Sequence, residues 1–290
     1  NAPAVAEADL NDGEGGRLWR RFTNLQTAID ADRDGGATLQ LLADVTGDYT
    51  IDGTQDTGLN LNGHCIKGTV TVKAATGNNT TTFSNTQNNT TASIDAVVAH
   101  RGAKLAGTRY PAVIGKLTLA DTTKWKDILQ QPTRLGFRVT NADGTYKWYA
   151  PEDVNGSQLN NVIINSLPIP TKTLNLKVDG KNLTGNSPKV ERGTTVQLCA
   201  GCNARGADVY IYIGENVGNN NPTYSQKKAE YKKIGSIWYY VVDLDANTIG
   251  IYDIYFTATK DGYSVMSSHK KLTVTKAATP ASAITAPAAN

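Results

Sequence analysis

Short apolar pairs separated by turn-forming residues fill residues 39–74, and their near repeat constrains the fold more than any other feature. Leu39 and Leu41 recur 20 positions later as Leu59 and Leu61. Strands this short cannot bury themselves alone. A coil that returns to the same register every ~20–29 residues stacks each strand on the previous turn. The pattern therefore predicts a small parallel β-helix.

The same residues carry a resemblance to a known group of proteins. The run "L-x-L-L-x-D-V-T", followed by "L-x-L-N-G-H-x-I-x-G", resembles modular surface proteins of Gram-positive bacteria. The matching positions are Leu39, Leu41, Leu42, Asp44, Val45 and Thr46, then Leu59, Leu61, Asn62, Gly63, His64, Ile66 and Gly68. The resemblance is best over residues 20–75 and implies a right-handed, pectate-lyase-like β-helix. Adhesins, lyases and plain spacers share this scaffold, so function stays open.

A short helix is predicted just before the repeat. Phe22–Ile29 has apolar residues at positions 22, 25, 28 and 29, which is helical spacing, and Thr23 is a fair N-cap. We expect this helix to cover the open end of the β-helix, because a solenoid needs a cap over its first rung.

The length of 290 residues and a stiff Pro168-Ile169-Pro170 segment suggest two domains. The predicted fold class is all-β. It comprises a flexible lead-in over residues 1–16, a β-helix-like domain over 17–167, an immunoglobulin-like β-sandwich over 168–276 and an Ala/Pro/Thr linker tail over 277–290.

The second domain is predicted from regularly spaced strands with turn residues between them. The run "YFTATKDGYS" at 255–264 is similar to the late strands of bacterial immunoglobulin-like repeats, whereas the Cys-Trp-Cys pattern of antibody domains is absent. The predicted strands are Leu174–Val178, Thr194–Cys199, Asp208–Ile213, Ser236–Leu244, Ile251–Ala258 and Lys271–Thr275.

Charge narrows the range of partners. The formal net charge of +3 is too small to indicate nucleic-acid binding. Residues 171–276 contain 14 Lys/Arg and 9 Asp/Glu, a difference of +5, so the rest of the chain carries −2. This mild basicity favours an acidic partner such as an anionic wall polymer. No run approaches the ~20 apolar residues that a membrane span requires, so no membrane insertion is expected.

Acidic residues suggest two kinds of site. Asp30, Asp32 and Asp34 precede two glycines and look like the first half of a calcium loop, but Leu41 replaces the closing acid. Calcium is thus the one cofactor considered, with a solvated turn as the alternative.

A second acidic series recurs at every fourth residue, as Asp44, Asp48, Asp52 and Asp56. These carboxylates could serve sugar chemistry, but they lie among Gly and Thr, where Asp is favoured by hydrogen bonds to the local backbone. We expect turn residues.

Cysteine usage is low. Cys199 and Cys202 could form a disulfide across a turn or a weak redox pair, and Cys65 is predicted to be a buried thiol.

Aromatic residues form the candidate ligand site. Apolar and tyrosine residues alternate in two strands of the second domain, so one face should be core and the other should present tyrosines. Exposed rings of this kind can stack on sugars, although tyrosine also suits half-exposed strands in general. The predicted ligand-binding residues are Tyr210, Tyr212, Trp238, Tyr240 and Tyr255.

No catalytic constellation is recognisable, so we do not expect an enzyme. The leading hypothesis is a non-catalytic extracellular module of a bacterial surface protein, a monomeric part of a larger chain at the cell surface or cell wall. Its partner would be a host or dietary glycan or a surface protein. The alternatives are a polysaccharide lyase or glycoside hydrolase fragment, and a structural stalk.

Overall fold

The computed structural model describes residues 2–11, 17–31, 38–87, 92–121, 123–215 and 222–277. The chain divides into two compact units, residues 1–170 and 171–290. The described residues are all-β with almost no helix. The strands of the first unit are β1 (Ala6–Asn11), β2 (Arg17–Phe22), β3 (Thr38–Leu41), β4 (Val45–Thr46), β5 (Tyr49–Ile51), β6 (Thr57–Asn60), β7 (Ile66–Val72), β8 (Thr81–Ser84), β9 (Ser93–Ala99), β10 (Leu105–Ala106), β11 (Val113–Leu119), β12 (Leu135–Thr140), β13 (Tyr146–Tyr149) and β14 (Gln158–Ser166).

The first unit contains a β-solenoid of about three turns, which confirms the predicted stacking of short strands. Strands β3, β6, β8 and β10 pair in parallel in one sheet. Strands β4 and β5 both pair in parallel with β7, and β7, β9 and β11 continue the second sheet. Leu39 aligns with Leu59, and Leu59 with Phe83, so the sequence repeat is the coil repeat.

Aligned apolar side chains form the interior of the solenoid. Ile66 pairs with Ile94 and Ile94 with Ile114, and each is at most 1% exposed. Burying one such side chain contributes about 1.5–3 kcal/mol relative to leaving it in water. Because each coil adds a residue to the same column, the core grows by stacking.

The aspartate series was predicted to bond to its own local backbone, which holds for Asp52, whereas the other three aspartates tie neighbouring coils together. The Asp44 carboxylate accepts a hydrogen bond from the backbone N–H of Cys65 (3.0 Å), 21 residues ahead. Asp48 accepts one from Thr69 N–H (2.8 Å). Asp56 accepts from Thr80 N–H (2.6 Å), and Asp52 accepts within its own turn, from Thr54 N–H (3.0 Å).

A bulge at Gly68 lets two coils approach closely. The pairing of β7 with β9 shifts register between Ile66 and Thr69, and Gly68 has a φ of +144°. A Cβ at this position would lie 2.2 Å from the carbonyl oxygen of Gly47. Only glycine fits a backbone approach this close.

The N-terminal segment departs from the predictions. A flexible lead-in was predicted over residues 1–16, but β1 lies there and pairs antiparallel with β2 and β3. Ala6 and Ala8 point into the core with no exposed surface. Small alanines hide the period-2 pattern of a strand in the sequence.

The predicted helix exists but is shorter and later than expected. Helix α1 spans Leu25–Asp30, and its N-cap is Asn24 rather than Thr23, because Asn24 Oδ1 accepts from Thr27 N–H (3.1 Å). Phe22 belongs to β2 instead. The Gln26 side chain donates to Thr50 O and accepts from Thr50 N–H, both at 2.8 Å.

Beyond the last coil the chain turns antiparallel. Strand β14 pairs with β11, and the hairpin of β12 and β13 extends that sheet. A 3-10 helix spans Trp125–Asp127, and a second 3-10 helix spans Pro151–Asp153. Trp125 Nε1 donates to Gly156 O (2.8 Å).

The second unit consists of two sheets. The six predicted strands are present, and five short strands were missed. The strands are β15 (Thr173–Val178), β16 (Lys181–Asn182), β17 (Lys189–Glu191), β18 (Thr195–Gly201), β19 (Asp208–Gly214), β20 (Tyr224–Lys228), β21 (Glu230–Ile234), β22 (Ile237–Asp245), β23 (Gly250–Lys260), β24 (Tyr263–Met266) and β25 (Lys270–Thr275). One sheet has the order β16-β15-β18-β22-β21; the other has β17-β25-β23-β19-β20, with β24 on β23. Within the described part of the chain, no helix is long and apolar enough to cross a membrane.

Candidate binding site

The half-motif for calcium is only partly within the described residues. Asp32 and Asp34 lie outside them. Asp30 ends helix α1, and its carboxylate accepts a hydrogen bond from Gln26 Nε2 (2.7 Å). Among the residues that the structure describes, no group of three or more His, Cys, Asp or Glu side chains could hold a metal ion. Calcium binding by Asp30, Asp32 and Asp34 stays a prediction.

The five predicted ligand-binding aromatics fall on two different sheets. Tyr210 and Tyr212 lie on β19, and Tyr255 lies opposite Tyr212 on the neighbouring strand β23. Trp238 and Tyr240 lie on β22 of the other sheet. The structure therefore brings three of the five together and separates the remaining two.

Tyr240 is an interior residue. It is 4% exposed, its hydroxyl donates to Ala204 O (3.0 Å), and it accepts from Ala207 N–H (2.9 Å). Burial raises the pKa of this phenol. The prediction that Tyr240 offers its ring to a ligand is wrong, because the ring is buried and its hydroxyl is bound to the backbone of Ala204 and Ala207.

Trp238 is open to solvent, with 50% of its surface exposed. One side of its indole stacks on Tyr231 of the adjacent strand, with ring centroids 4.9 Å apart and planes at 14°. Tyr231 in turn contacts Tyr240 at 4.8 Å. Trp238 is thus one exposed ring at the β21–β22 hairpin, and Tyr231 covers one of its faces.

The outward face of β19, β23 and the segment before β25 carries a row of three stacked rings, Tyr212, Tyr255 and His269, which we call the aromatic row. The rings of Tyr212 and Tyr255 stack with centroids 4.7 Å apart and planes at 2°. His269 stacks on Tyr255 with centroids 4.5 Å apart and planes at 27°. Both faces of Tyr255 are therefore covered, and a ligand can reach only its edge and hydroxyl.

An aspartate anchors one end of the aromatic row. Asp253 Oδ2 accepts hydrogen bonds from the Tyr224 hydroxyl (2.6 Å) and from His269 Nδ1–H (2.5 Å). The hydrogen bond to Asp253 raises the pKa of Tyr224 to about 12. Asp253 is 6% exposed although it sits on the outward side of its strand, because these two rings cover it.

Sequence reasoning missed this group of residues. The one signal was an aspartate in the apolar–tyrosine alternation of "IYDIYF", at a position where a half-exposed strand has no need of a charge. Tyr224 and His269 are 29 and 16 residues from Asp253 in the chain, and only the sheet pairing brings them together.

A charged pair flanks Tyr210 on the same face. Lys228 Nζ lies 3.0 Å from Asp208 Oδ1 and 5.8 Å from the centroid of the Tyr210 ring. Hydrogen bonding to Asp208 raises the pKa of Lys228. Both charged groups are exposed, so this pair contributes little to stability.

None of the three cysteines forms a disulfide in this structure. Cys199 and Cys202 are completely buried, and burial raises the pKa of both, for Cys199 to about 11. The disulfide considered from their spacing is therefore absent here, and a redox role of the pair stays a prediction. Cys65, predicted to be buried, is partly exposed instead.

No protein family profile, curated protein or solved structure matches the chain.

Proposed function

We propose that this chain is a non-catalytic binding module of a larger extracellular bacterial surface protein, and that its second unit binds a glycan through the aromatic row. The observation that carries the proposal is the stack of Tyr212, Tyr255 and His269 on one outward sheet face. Host or dietary glycans and surface glycoproteins are the partners that this chemistry suits.

The hydrogen-bonding groups of the row suit a hydroxyl-rich ligand. Because Tyr255 is covered on both faces, its hydroxyl is the group available to a sugar, and the exposed Gln226 lies directly opposite Tyr212. Phenol and amide groups each donate and accept hydrogen bonds, as sugar hydroxyls do. The ligand would therefore lie across ring edges rather than on a flat ring.

Strand order supports an immunoglobulin-like assignment for the second unit. The order β15-β18-β22-β21 corresponds to strands A, B, E and D of that fold, and β25-β23-β19 to G, F and C. Loops and sheet faces of such domains commonly serve recognition, so a binding role fits. The resemblance to Gram-positive surface proteins belongs to this proposal as well.

Helix α1 supports the proposal that the first unit is a module of a larger protein. Its Gln26 amide pairs with both backbone groups of Thr50, as a neighbouring strand would. We infer that α1 caps the edge of β5 and blocks strand addition at that end.

A glycan array on the full chain tests the binding proposal. The wild type and the Tyr212→Ala/Tyr255→Ala double variant are compared, with Tyr146→Ala as the control, since Tyr146 is an exposed tyrosine of the first unit. We expect binding by the wild type and the control and loss in the double variant. Absence of binding by the wild type would remove the glycan proposal.

A structural stalk is the second candidate, favoured by the aspartates that tie coil to coil. Asp44, Asp48 and Asp56 each accept a hydrogen bond from a backbone N–H group 21–24 residues ahead, which suits a rigid spacer. These hydrogen bonds also disfavour the lyase or hydrolase alternative, because the three carboxylates already bind backbone amides. An array without hits, together with a resistant first unit in proteolysis, would favour the stalk.

A further inference from the structure

Three potential metal ligands of different type converge on one point of the second unit. Asp253 Oδ2 lies 2.6 Å from the Tyr224 hydroxyl oxygen and 2.5 Å from His269 Nδ1. They come from β20, from β23 and from the residue just before β25, so the sheet pairing fixes their relative position. A carboxylate, a phenol and an imidazole thus share one small volume.

Ring packing holds two of these ligands in place without a metal. His269 stacks on Tyr255 at 4.5 Å, and Tyr224 meets the same ring edge-on at 5.2 Å with planes at 77°. Ligands that are already oriented lose little conformational entropy when they bind. Tyr255 is therefore the support for both.

Exposure leaves the site open on one side. The Asp253 side chain is 9% exposed, whereas that of His269 is 46% exposed. Water or a ligand atom can therefore complete the coordination of an ion, while the carboxylate stays anchored below.

We propose that Asp253, Tyr224 and His269 form a binding site for Cu²⁺. Imidazole suits Cu, Zn, Ni and Fe, and Cu²⁺ stands highest in the affinity order of divalent first-row ions at nitrogen–oxygen sites. A phenolate and a carboxylate together balance the charge of a divalent ion. This proposal rests on the cluster alone and stands independently of glycan binding.

The Tyr224 phenol binds the ion as phenolate and releases its proton to solvent. Tyr224→Phe has no such proton to lose, so the parent should release one proton more per ion bound than this variant does.

The test titrates Cu²⁺ into the full chain at pH 7 in two buffers of different protonation enthalpy. Two other histidines lie near aspartates, His64 at 3.4 Å from Asp44 and His100 at 3.5 Å from Asp121, so the parent protein carries His64→Gln and His100→Gln. We expect one ion per chain, release of one proton more than in Tyr224→Phe, and a visible phenolate-to-copper charge-transfer band.

Tyr224→Phe keeps the ring and removes the oxygen ligand. In that parent it should abolish the band, lower the proton release by one per ion and weaken binding at least about tenfold, whereas Tyr210→Phe on the same face should change none of these. His269→Gln, at a half-exposed position that tolerates substitution, should weaken binding to a similar extent. The proposal is overturned if the parent binds no stoichiometric ion, or if Tyr224→Phe keeps the same proton release and affinity.

Discussion

Tyr212 and Tyr255 stand face to face across β19 and β23, with ring centroids 4.7 Å apart and planes within 2°. Such a pair contributes about 0.5–1.5 kcal/mol beyond its buried area. A double-mutant cycle with Tyr212→Leu and Tyr255→Leu should therefore give a coupling free energy in this range, measured on the unfolding transition of the second unit in urea. A coupling near zero would mean that the rings do not pair in solution.

Gly68→Ala tests the close contact between coils. The new Cβ would lie 2.2 Å from Gly47 O on a backbone with φ of +144°, so we expect destabilisation of at least about 3 kcal/mol from strain and overpacking. Gly58→Ala is the matched control, because its φ is not positive and the nearest atom to its Cβ lies at 3.9 Å. Equal stability of the two variants in urea denaturation would rule out stacked coils at Gly68.

Asp44 gives a prediction for pH dependence. Its pKa is lowered, first by the hydrogen bond from Cys65 N–H and then by His64. Because the folded pKa lies below the unfolded one, the stabilisation is complete above the unfolded pKa and is lost as pH falls through the folded pKa. The difference in unfolding free energy between wild type and Asp44→Ala should thus shrink from pH 6 towards pH 3. A constant or growing difference would contradict the hydrogen bond.

Thiol accessibility separates the cysteines. Cys199 and Cys202 are buried, and the pKa of Cys199 is raised to about 11, so neither should react with an aromatic disulfide reagent in the native protein at pH 8. Partly exposed Cys65 should react alone, and all three should react in guanidinium. Reaction of only one thiol after unfolding would reveal a disulfide between Cys199 and Cys202.

The solenoid was predictable because Leu39 and Leu59 repeat along the chain and then pair in space. Strand β1 was missed because Ala6 and Ala8 carry too little apolar surface to reveal a period. The sequence did not show which of Trp238, Tyr239 and Tyr240 is exposed, since three successive aromatics carry no alternation. The cluster around Asp253 could not be predicted, because it depends on which strands pair. A single sequence does not give the strand order.

We propose that the edges of the aromatic row contact a glycan. The most direct measurement is the affinity of the strongest array hit for the wild type and for Tyr255→Phe, which keeps the stack and removes only one hydroxyl, by titration calorimetry. We expect a loss in affinity of about 3- to 10-fold, which corresponds to the free energy of one hydrogen bond. Unchanged affinity in Tyr255→Phe, with binding lost in Trp238→Ala, would contradict it and move the site to the other sheet.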